Sequence, residues 1–243
     1  MSSVAIVTGG AGGIGSAICR SLAQDGIKIV VADFAEDAGK SLAEEIGKNG
    51  GEAIFQKMDV GDKASVGKMV ENTIERFSRI DSLINGAGVI SRAPVQEMAE
   101  ADWDRVLRIN LKGTFLCSQA VSRHMTERRS GRIICVASGR GVVGQPRAAH
   151  YAASKAGVIA FVKSLAVELA PHNVLVNAIA PGATDTAMSR AGSTEEEWKR
   201  REAVPPLMGG LTTKEEIVGL IRYLLSEPAK HITGQTFFLR TPR

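Results

Sequence analysis

Two side chains that lie four residues apart carry the clearest chemical signal in this 243-residue sequence. Tyr151 and Lys155 fall within a predicted helix, where residues i and i+4 share a face, so the ammonium would lie close to the phenol. A nearby positive charge lowers a tyrosine pKa from about 10 towards neutral pH, where the hydroxyl can act as a general acid or base. A half-buried aromatic beside a solvated lysine would give the same spacing, so the rest of the chain must decide.

The elements that would position this pair alternate along the chain. Apolar runs rich in Val and Ile predict strands at 4–8, 27–33, 52–58, 81–85, 131–137, 174–180 and 235–239. Amphipathic periodicity predicts helices at 14–25, 36–48, 63–78, 98–129, 151–170 and 213–226. This alternation is typical of α/β proteins with a parallel sheet covered by helices on both faces. The periodicity breaks at 86–97 and 181–212, and long connections at the carboxyl ends of parallel strands are expected to line a site.

Composition and length restrict the possible functions. No linker, low-complexity run or repeat divides the chain, so residues 1–243 are predicted to form a single domain. The net charge of +4 is small and interspersed, which gives no reason to expect nucleic acid. No apolar stretch reaches the ~20 residues of a membrane span and no signal-peptide pattern is present, so we expect a cytoplasmic protein without a membrane partner. Cys19, Cys117 and Cys135 are expected to be reduced core thiols, and no metal site is expected.

A glycine-rich turn follows the first predicted strand and leads into a predicted helix. Glycines let the backbone approach a pyrophosphate, and the N–H groups and dipole of the helix start stabilise its charge. Gly10, Gly12 and Gly15 fit the G-x-G-x-x-G pattern. The wider T-G-x-x-x-G-x-G pattern comprises Thr8, Gly9, Gly13 and Gly15, with Ile14 between the last two glycines. The turn therefore predicts dinucleotide binding, and a plain glycine turn is the weaker alternative.

Acidic residues at strand ends are candidates for adenosine binding. Asp33 ends the second predicted strand 18 residues after Gly15, close to the ~20 at which a carboxylate meets the adenosine ribose. A carboxylate there would accept from both ribose hydroxyls and repel a 2′-phosphate, which favours NAD over NADP. Asp33 could also cap the helix that starts near Glu36. Asp59 could accept from the adenine amino group, whereas Asp62 is expected to cap a helix.

With these motifs in order, the sequence resembles the short-chain dehydrogenase/reductase family over essentially the whole chain. The resemblance rests on Thr8-Gly9-x-x-x-Gly13-x-Gly15, Asn85-Gly86-Ala87-Gly88, Asn110, Ser138, Tyr151-x-x-x-Lys155 and Pro181-Gly182. It implies a single-domain Rossmann fold with a doubly wound, seven-stranded parallel sheet of order 3-2-1-4-5-6-7. It also implies a nicotinamide cofactor and hydride transfer between an alcohol and a carbonyl.

The resemblance further implies roles for individual residues. Tyr151 would exchange a proton with the substrate oxygen, Ser138 would hydrogen-bond that oxygen, and Lys155 would lower the pKa of Tyr151 and hold the nicotinamide ribose. Asn110 would perturb its helix and hold a water that connects Lys155 to solvent. Further cofactor contacts would come from Val60, Asn85, Gly86, Ala87, Gly88, Pro181, Gly182 and Thr184. Two hydroxyls and an ammonium would together stabilise the charge that the oxygen gains as hydride arrives.

The sequence departs from the family pattern at two places. Gly86 stands where the family commonly has a second asparagine, and residues 240–243 follow the last strand where Asp-Gly-Gly is usual. That strand and tail often pack against a neighbouring subunit in the family. A homo-oligomer, either a tetramer or a dimer, is expected with its geometry left open.

Substrate contacts are the least constrained prediction. The candidates are Ser138, Arg140, Gln145, Arg147 and Met188. Arg140 and Arg147 could pair with an anionic substrate or be solvated loop arginines. Residues 183–207 could form a lid, with Met188 and Trp198 over the substrate, or a plain surface helix.

His150 is not expected to act with Tyr151, because adjacent helix positions point about 100 degrees apart, but it could line the entrance.

The leading hypothesis is an NAD-dependent enzyme that interconverts a secondary alcohol and a ketone as small-molecule substrates. The alternative is an NADPH-dependent 3-oxoacyl-carrier-protein reductase, whose acidic carrier could dock on Arg123, Arg128, Arg129 and Arg132. A nucleotide-binding protein without catalysis is the third possibility, since fold alone does not establish function.

Overall fold

The five inner strands of the sheet form because short apolar runs are buried on both faces, whereas the two edge strands are only partly buried. The computed structural model describes residues 3–191, 193–205 and 210–239. Its strands are β1 (Val4–Thr8), β2 (Lys28–Asp33), β3 (Ala53–Lys57), β4 (Ser82–Asn85), β5 (Gly131–Val136), β6 (Val174–Ala180) and β7 (Thr236–Phe238). They make one parallel sheet of order β3-β2-β1-β4-β5-β6-β7. The predicted α/β Rossmann-type fold and its strand order are confirmed.

Helices cover both faces of this sheet. They are α1 (Gly13–Gln24), α2 (Glu36–Lys48), α3 (Lys63–Phe77), α4 (Glu100–Leu107), α5 (Gly113–Arg128), α6 (Arg140–Val143), α7 (Ala149–Leu169), α8 (Ala187–Arg190), α9 (Glu195–Glu202) and α10 (Lys214–Leu225). Val4 and Ile6 pack with α3, α5 and α7, whereas Ala5 and Val7 pack with α1, α2 and α10. Since successive strand residues point to opposite faces, each core strand serves two cores, and each fully buried aliphatic side chain contributes about 2 kcal/mol.

The long helix predicted at 98–129 is interrupted. α4 ends at Leu107, residues Arg108–Lys112 form a π-helical turn, and α5 then begins. Within the turn, Asn110 Nδ2 donates to the Val89 carbonyl oxygen at 3.0 Å, and Asn110 Oδ1 accepts from the Val89 N–H at 2.8 Å. The turn thus fastens the helix to the loop that follows β4.

The insert between β6 and α10 is organised around Arg190. Its guanidinium pairs with Asp185 at 2.6 Å and lies 4.6 Å from the ring centre of Trp198. The indole N–H in turn donates to Glu202 at 2.7 Å. Trp198 is only 2% exposed, so it is part of the interior of the insert, and the expectation that it covers the substrate is wrong. Residues 192, 206 and 207 of the predicted lid, and the tail 240–243, lie outside the described residues.

The structure also bears on the cysteines, on one helix cap, and on membrane-spanning helices and metal-ligand groups. Cys19, Cys117 and Cys135 are all buried free thiols, and burial raises their pKa values to about 12, 12 and 11. Asp62 caps α3 by accepting from the Ala64 N–H at 2.9 Å. Among the described residues, no helix is long and apolar enough to cross a membrane, and no three His, Cys, Asp or Glu side chains are grouped to hold a metal ion.

Candidate active site

A cavity of about 640 Å³ opens at the carboxyl ends of the central strands. Its size is typical of a small-molecule site, and its place is the switch point where connections from β1 and β4 leave on opposite sides of the sheet. It is lined by most of the predicted residues, namely Gly9, Gly13, Ile14, Gly15, Asp33, Asp59, Val60, Gly86, Ala87, Gly88, Ser138, Tyr151, Lys155, Pro181, Gly182, Thr184 and Met188.

Three predicted residues lie behind the cavity wall. Thr8 Oγ1 accepts from the Gly86 and Ala87 N–H groups at 3.2 and 3.3 Å, which ties the loop after β4 to the glycine turn. Asn85 is buried and donates to Ser118 at 3.0 Å. Asn110 is also fully buried. These three residues do not line the cavity themselves, but their contacts position the segments that do.

The glycine turn needs its glycines. Gly9 has φ +66°, and a Cβ there would lie 2.8 Å from the Ala87 Cα, whereas a Cβ on Gly15 would collide with the Gly9 carbonyl oxygen. α1 begins directly after Gly12, with no side-chain cap and no acidic residue in its first turn. The positive end of α1 therefore faces the cavity unneutralised, which suits a pyrophosphate.

Asp33 lies at the edge of this turn. Its Oδ2 accepts from the Ala11 N–H and its Oδ1 from the Ala35 N–H, both at 2.9 Å. Because Ala35 is itself the N-cap of α2, Asp33 braces the preceding turn, and its alternative role as a helix cap is wrong. The next residue, Phe34, also lines the cavity with 72% of its surface exposed. Sequence reasoning missed Phe34, although a large apolar residue directly after the strand-ending acid was a usable signal.

Ser138, Tyr151 and Lys155 meet on the other side of the cavity. Tyr151 and Lys155 share one face of α7, with Lys155 Nζ 5.7 Å from the Tyr151 ring centre. Lys155 is 5% exposed, and its Nζ donates to the Val136 carbonyl oxygen at 2.7 Å. A side-chain hydrogen bond joins Ser138 and Tyr151. Ser138 Oγ also accepts from the Arg140 N–H at 3.2 Å, which fixes the loop after β5.

Burial shifts both titratable groups towards their neutral forms. Burial raises the pKa of Tyr151, and the hydrogen bond with Ser138 and the charges of Arg140 and Arg92 oppose that rise. Burial also lowers the pKa of Lys155 to about 8. The lowering of the Tyr151 pKa by Lys155 stays a prediction, because the net shift is upward and the opposing charges belong to arginines.

Asn110 connects the π turn to α7. Its Nδ2 lies 3.1 Å from Ser154 Oγ, which donates to the Tyr151 carbonyl oxygen at 2.7 Å. A Cβ on Gly88 would lie 3.4 Å from Asn110 Oδ1 and 3.7 Å from Lys155 Nζ. The Asn110 amide and the Lys155 ammonium therefore flank the same backbone position, although the water that was expected between Lys155 and solvent stays a prediction.

Four side chains considered for the substrate region do not line the cavity. Arg140 and Arg147 are exposed and Gln145 is half-buried, and none of the three lines the cavity. His150 is fully buried, with Nε2 2.7 Å from Ser91 Oγ, so the expectation that it lines the entrance is wrong. Burial lowers the pKa of His150.

The basic cluster that was considered for carrier docking lies at the opposite edge of the sheet. Arg132 is near the start of β5, whereas the cavity is at the carboxyl ends of the strands. Arg129 there donates to the Pro171 carbonyl oxygen at 3.0 Å. Since β5 has six residues at ~3.3 Å each, about 20 Å separates the two edges.

Two further residues that line the cavity were not predicted from the sequence. Thr186, the N-cap of α8, packs close to Gly13, since a Cβ built on Gly13 would lie only 3.0 Å from Thr186 Cγ2. The insert therefore covers the glycine turn. Arg108 reaches the cavity from the π turn. Neither could be found by motif, because each depends on how distant segments pack.

Residues 3–197 match the family model described as short chain dehydrogenase. The chain belongs to this family. It is 42% identical to the 3-oxoacyl-[acyl-carrier-protein] reductase of Synechocystis sp., over 96% of this chain and 94% of that protein. It is 35% identical to the cyclopentanol dehydrogenase of Comamonas sp., over 95% and 92%. A crystal structure of gox2181 superposes with a TM-score of 0.92 at 33% identity, covering 98% of this chain and 94% of that one.

Membership in the short-chain dehydrogenase family makes this chain an oxidoreductase that acts on CH–OH groups of small molecules with a nicotinamide dinucleotide, NAD or NADP. The cavity fits such a group, since close backbone approach at Gly9 and Gly15, an unneutralised helix start and a strand-ending carboxylate all line it.

Proposed function

We propose that this short-chain dehydrogenase interconverts a secondary alcohol and a ketone with NAD, using Tyr151 as the acid/base. The supporting observation is that Ser138, Tyr151 and Lys155 share one cavity with the glycine turn and Asp33. The start of α1 would hold the pyrophosphate of a dinucleotide, Asp33 would hold its adenosine ribose, and Lys155 would hold its nicotinamide ribose beside the two hydroxyls.

The preference for NAD follows from the charges around Asp33. A 2′-phosphate on the adenosine ribose would meet the Asp33 carboxylate, which repels it. The nearby lysines offer little compensation, because Lys40 and Lys57 both donate to Glu36, at 2.7 and 2.8 Å. Phe34 follows Asp33 and adds no positive charge. The unmodified ribose, in contrast, presents two hydroxyl donors to the carboxylate.

The proposed mechanism assigns each side chain a defined task. The bound nicotinamide supplies or accepts the hydride. Ser138 and Tyr151 donate hydrogen bonds to the substrate oxygen, and Tyr151 passes its proton to that oxygen when a ketone is reduced and takes it back when an alcohol is oxidised. Lys155 holds the nicotinamide ribose and, together with Arg140, favours the phenolate form of Tyr151. Asn110 fixes the backbone around Lys155.

The test is Tyr151→Phe, which keeps the ring and removes the hydroxyl. We expect turnover to fall by about 10²–10⁴, the usual contribution of general acid/base catalysis, while NADH binding measured by fluorescence stays within about twofold. Cyclopentanol and linear secondary alcohols, assayed with NAD, are suitable probes. Tyr223→Phe is the matched control, because Tyr223 is the other tyrosine of the chain and lies exposed on α10. If the Tyr151→Phe enzyme kept most of its turnover, the mechanism would be wrong.

A second candidate is an NADPH-dependent 3-oxoacyl-carrier-protein reductase, which the similarity to the Synechocystis enzyme favours. Asp33 opposes NADPH, and within one chain the basic cluster at Arg132 faces away from the cavity. The two functions are separated by comparing kcat/KM for cyclopentanol with NAD and for a 3-oxoacyl thioester with NADPH. A higher value for the thioester would favour the reductase.

We also propose that the protein is a homo-oligomer, a dimer or a tetramer. Apolar side chains are exposed on the outer faces of the helices that carry the site, with Phe115 on α5 and Val167 on α7. Phe115 packs edge-to-face on Phe161 of α7 at 6.2 Å, so the two helices share one apolar surface. Such surfaces commonly mark subunit contacts. Light scattering after size exclusion gives the mass, and a monomer would contradict the proposal.

A further inference from the structure

The base end of the dinucleotide site is identified by the strand order. The pyrophosphate site lies at β1 and the reacting hydroxyls at β5 and α7, so the adenosine half extends the other way, over β2 and β3. The inference below rests on the proposed binding of a nicotinamide dinucleotide. At this end the cavity is lined by Phe34, Met58, Asp59, Val60, Arg108 and Ile109.

Arg108 is anchored at this end by Asp59. Its Nη1 donates to Asp59 Oδ2 at 2.8 Å, while Asp59 Oδ1 accepts from the Gly61 N–H at 2.8 Å. A Cβ on Gly61 would collide with the guanidinium, so the glycine makes room for the arginine. The Arg108 side chain is still 42% exposed. It is therefore held in place and reachable from the cavity at the same time.

This pairing changes the hydrogen-bond character of the base subsite. Burial alone would raise the pKa of Asp59, but the hydrogen bonds from Arg108 and the Gly61 N–H outweigh burial and lower it, so Asp59 is a carboxylate whose two oxygens each accept one of these bonds. A guanidinium has five N–H donors and no acceptor. Arg108 can therefore offer only N–H donors to the edge of a bound purine.

Adenine and its deaminated form differ at the edge that these groups would meet. The adenine 6-amino group donates and is served by a free carboxylate oxygen, whereas the 6-oxo group of hypoxanthine accepts and is served by a guanidinium. We propose that Arg108 sets the base specificity of this site, by donating to the purine edge, so that a hypoxanthine dinucleotide binds at least as well as NAD. A site with Asp59 and without Arg108 would instead favour adenine.

The test compares NADH with reduced nicotinamide hypoxanthine dinucleotide by fluorescence titration at fixed ionic strength. Both ligands carry the same reporter and the same ribose and phosphates, so the ratio of their Kd values isolates the base. In the wild-type protein we expect the hypoxanthine ligand to bind within about twofold of NADH or more tightly. In Arg108→Ala the ratio should shift about tenfold towards NADH, the order of one hydrogen bond to a charged group.

Two variants guard against a merely structural effect. Asp59→Asn removes the carboxylate and should move the ratio the other way, towards hypoxanthine, whereas a general loosening would weaken both ligands equally. Arg105→Ala is the matched control, because Arg105 lies one turn away on α4, pairs with Asp102 at 3.1 Å, has a 44% exposed side chain and does not line the cavity. Its ratio should equal that of the wild type.

The outcomes are distinct. A wild-type preference for NADH above about tenfold, with the same ratio in Arg108→Ala, would overturn the role of Arg108 while leaving the dehydrogenase proposal intact. Failure of the wild-type protein to bind either ligand would overturn both. Opposite shifts in Arg108→Ala and Asp59→Asn would establish the proposal.

Discussion

Replacing Lys155 with methionine is expected to stabilise the fold and abolish turnover. Burial lowers the Lys155 pKa from 10.5 to about 8, and at ~1.4 kcal/mol per pH unit this corresponds to a cost of about 3 kcal/mol for keeping the ammonium charged at pH 7. Lys155→Met removes that cost and also the hydrogen bond from the charged Nζ to the Val136 carbonyl oxygen, which contributes about 1.5 kcal/mol. The net gain in the free energy of unfolding is about 1.5 kcal/mol at pH 7.

The pH dependence distinguishes this cause from better packing. The folded pKa of Lys155 lies below the unfolded one, so between about pH 8 and 10.5 the unfolded chain binds more protons and the wild-type stability rises with pH. Below pH 8 the full penalty applies. The advantage of Lys155→Met should therefore be largest at pH 7 and mostly lost near pH 10.

Thermal unfolding at both pH values is the assay. For a chain of this length, about 1.5 kcal/mol shifts the Tm by roughly 3–6 °C. Lys163→Met is the control, since Lys163 is exposed on the same helix and should show no such shift. A Lys155→Met protein that is less stable at pH 7, or that keeps the same advantage at pH 10, would refute the reasoning.

Two further predictions concern the turn and the phenol. Gly9→Ala should cost at least about 2 kcal/mol and abolish NADH binding, because φ is +66° and the new Cβ would lie 2.8 Å from the Ala87 Cα; Gly50→Ala, at φ +84° with nothing within 4 Å, should cost only about 1 kcal/mol. Urea unfolding and NADH titration of both variants check this, and equal effects would contradict it. Arg140→Ala should move the ascending limb of the pH profile for alcohol oxidation to higher pH, because Tyr151 must be deprotonated to act as the base and Arg140 opposes the raised pKa of Tyr151. An unchanged profile would contradict the electrostatic role of Arg140.

The five inner strands of the sheet were predictable because they are buried on both faces. Such strands read as continuous apolar runs, and the bounds of every predicted strand agree with the structure to within one residue. The strand order came from the resemblance to the family, since periodicity does not encode which strands are neighbours. The short helices α6 and α8 were missed because four residues carry too little periodic signal, whereas the charge pattern of the insert did indicate a short surface helix where α9 lies.

The site was predictable where a motif fixes the geometry and unpredictable where distant segments meet. Tyr151 and Lys155 share a face by spacing alone. The π turn at Asn110 arises because its amide pairs with the backbone of the loop after β4, which helical periodicity does not report. Arg108 reaches the cavity only because of this turn and its pairing with Asp59. His150 was expected at the entrance because it directly precedes Tyr151, but it is buried and pairs with Ser91.

The most direct test of NAD-dependent function is a side-by-side fluorescence titration of the purified protein with NADH and NADPH at one ionic strength. Because the Asp33 carboxylate would accept from ribose hydroxyls and repel a 2′-phosphate, NADH should bind at least about tenfold more tightly, a difference of ~1.4 kcal/mol. Tighter binding of NADPH would contradict the assignment of Asp33 and favour the carrier-protein reductase.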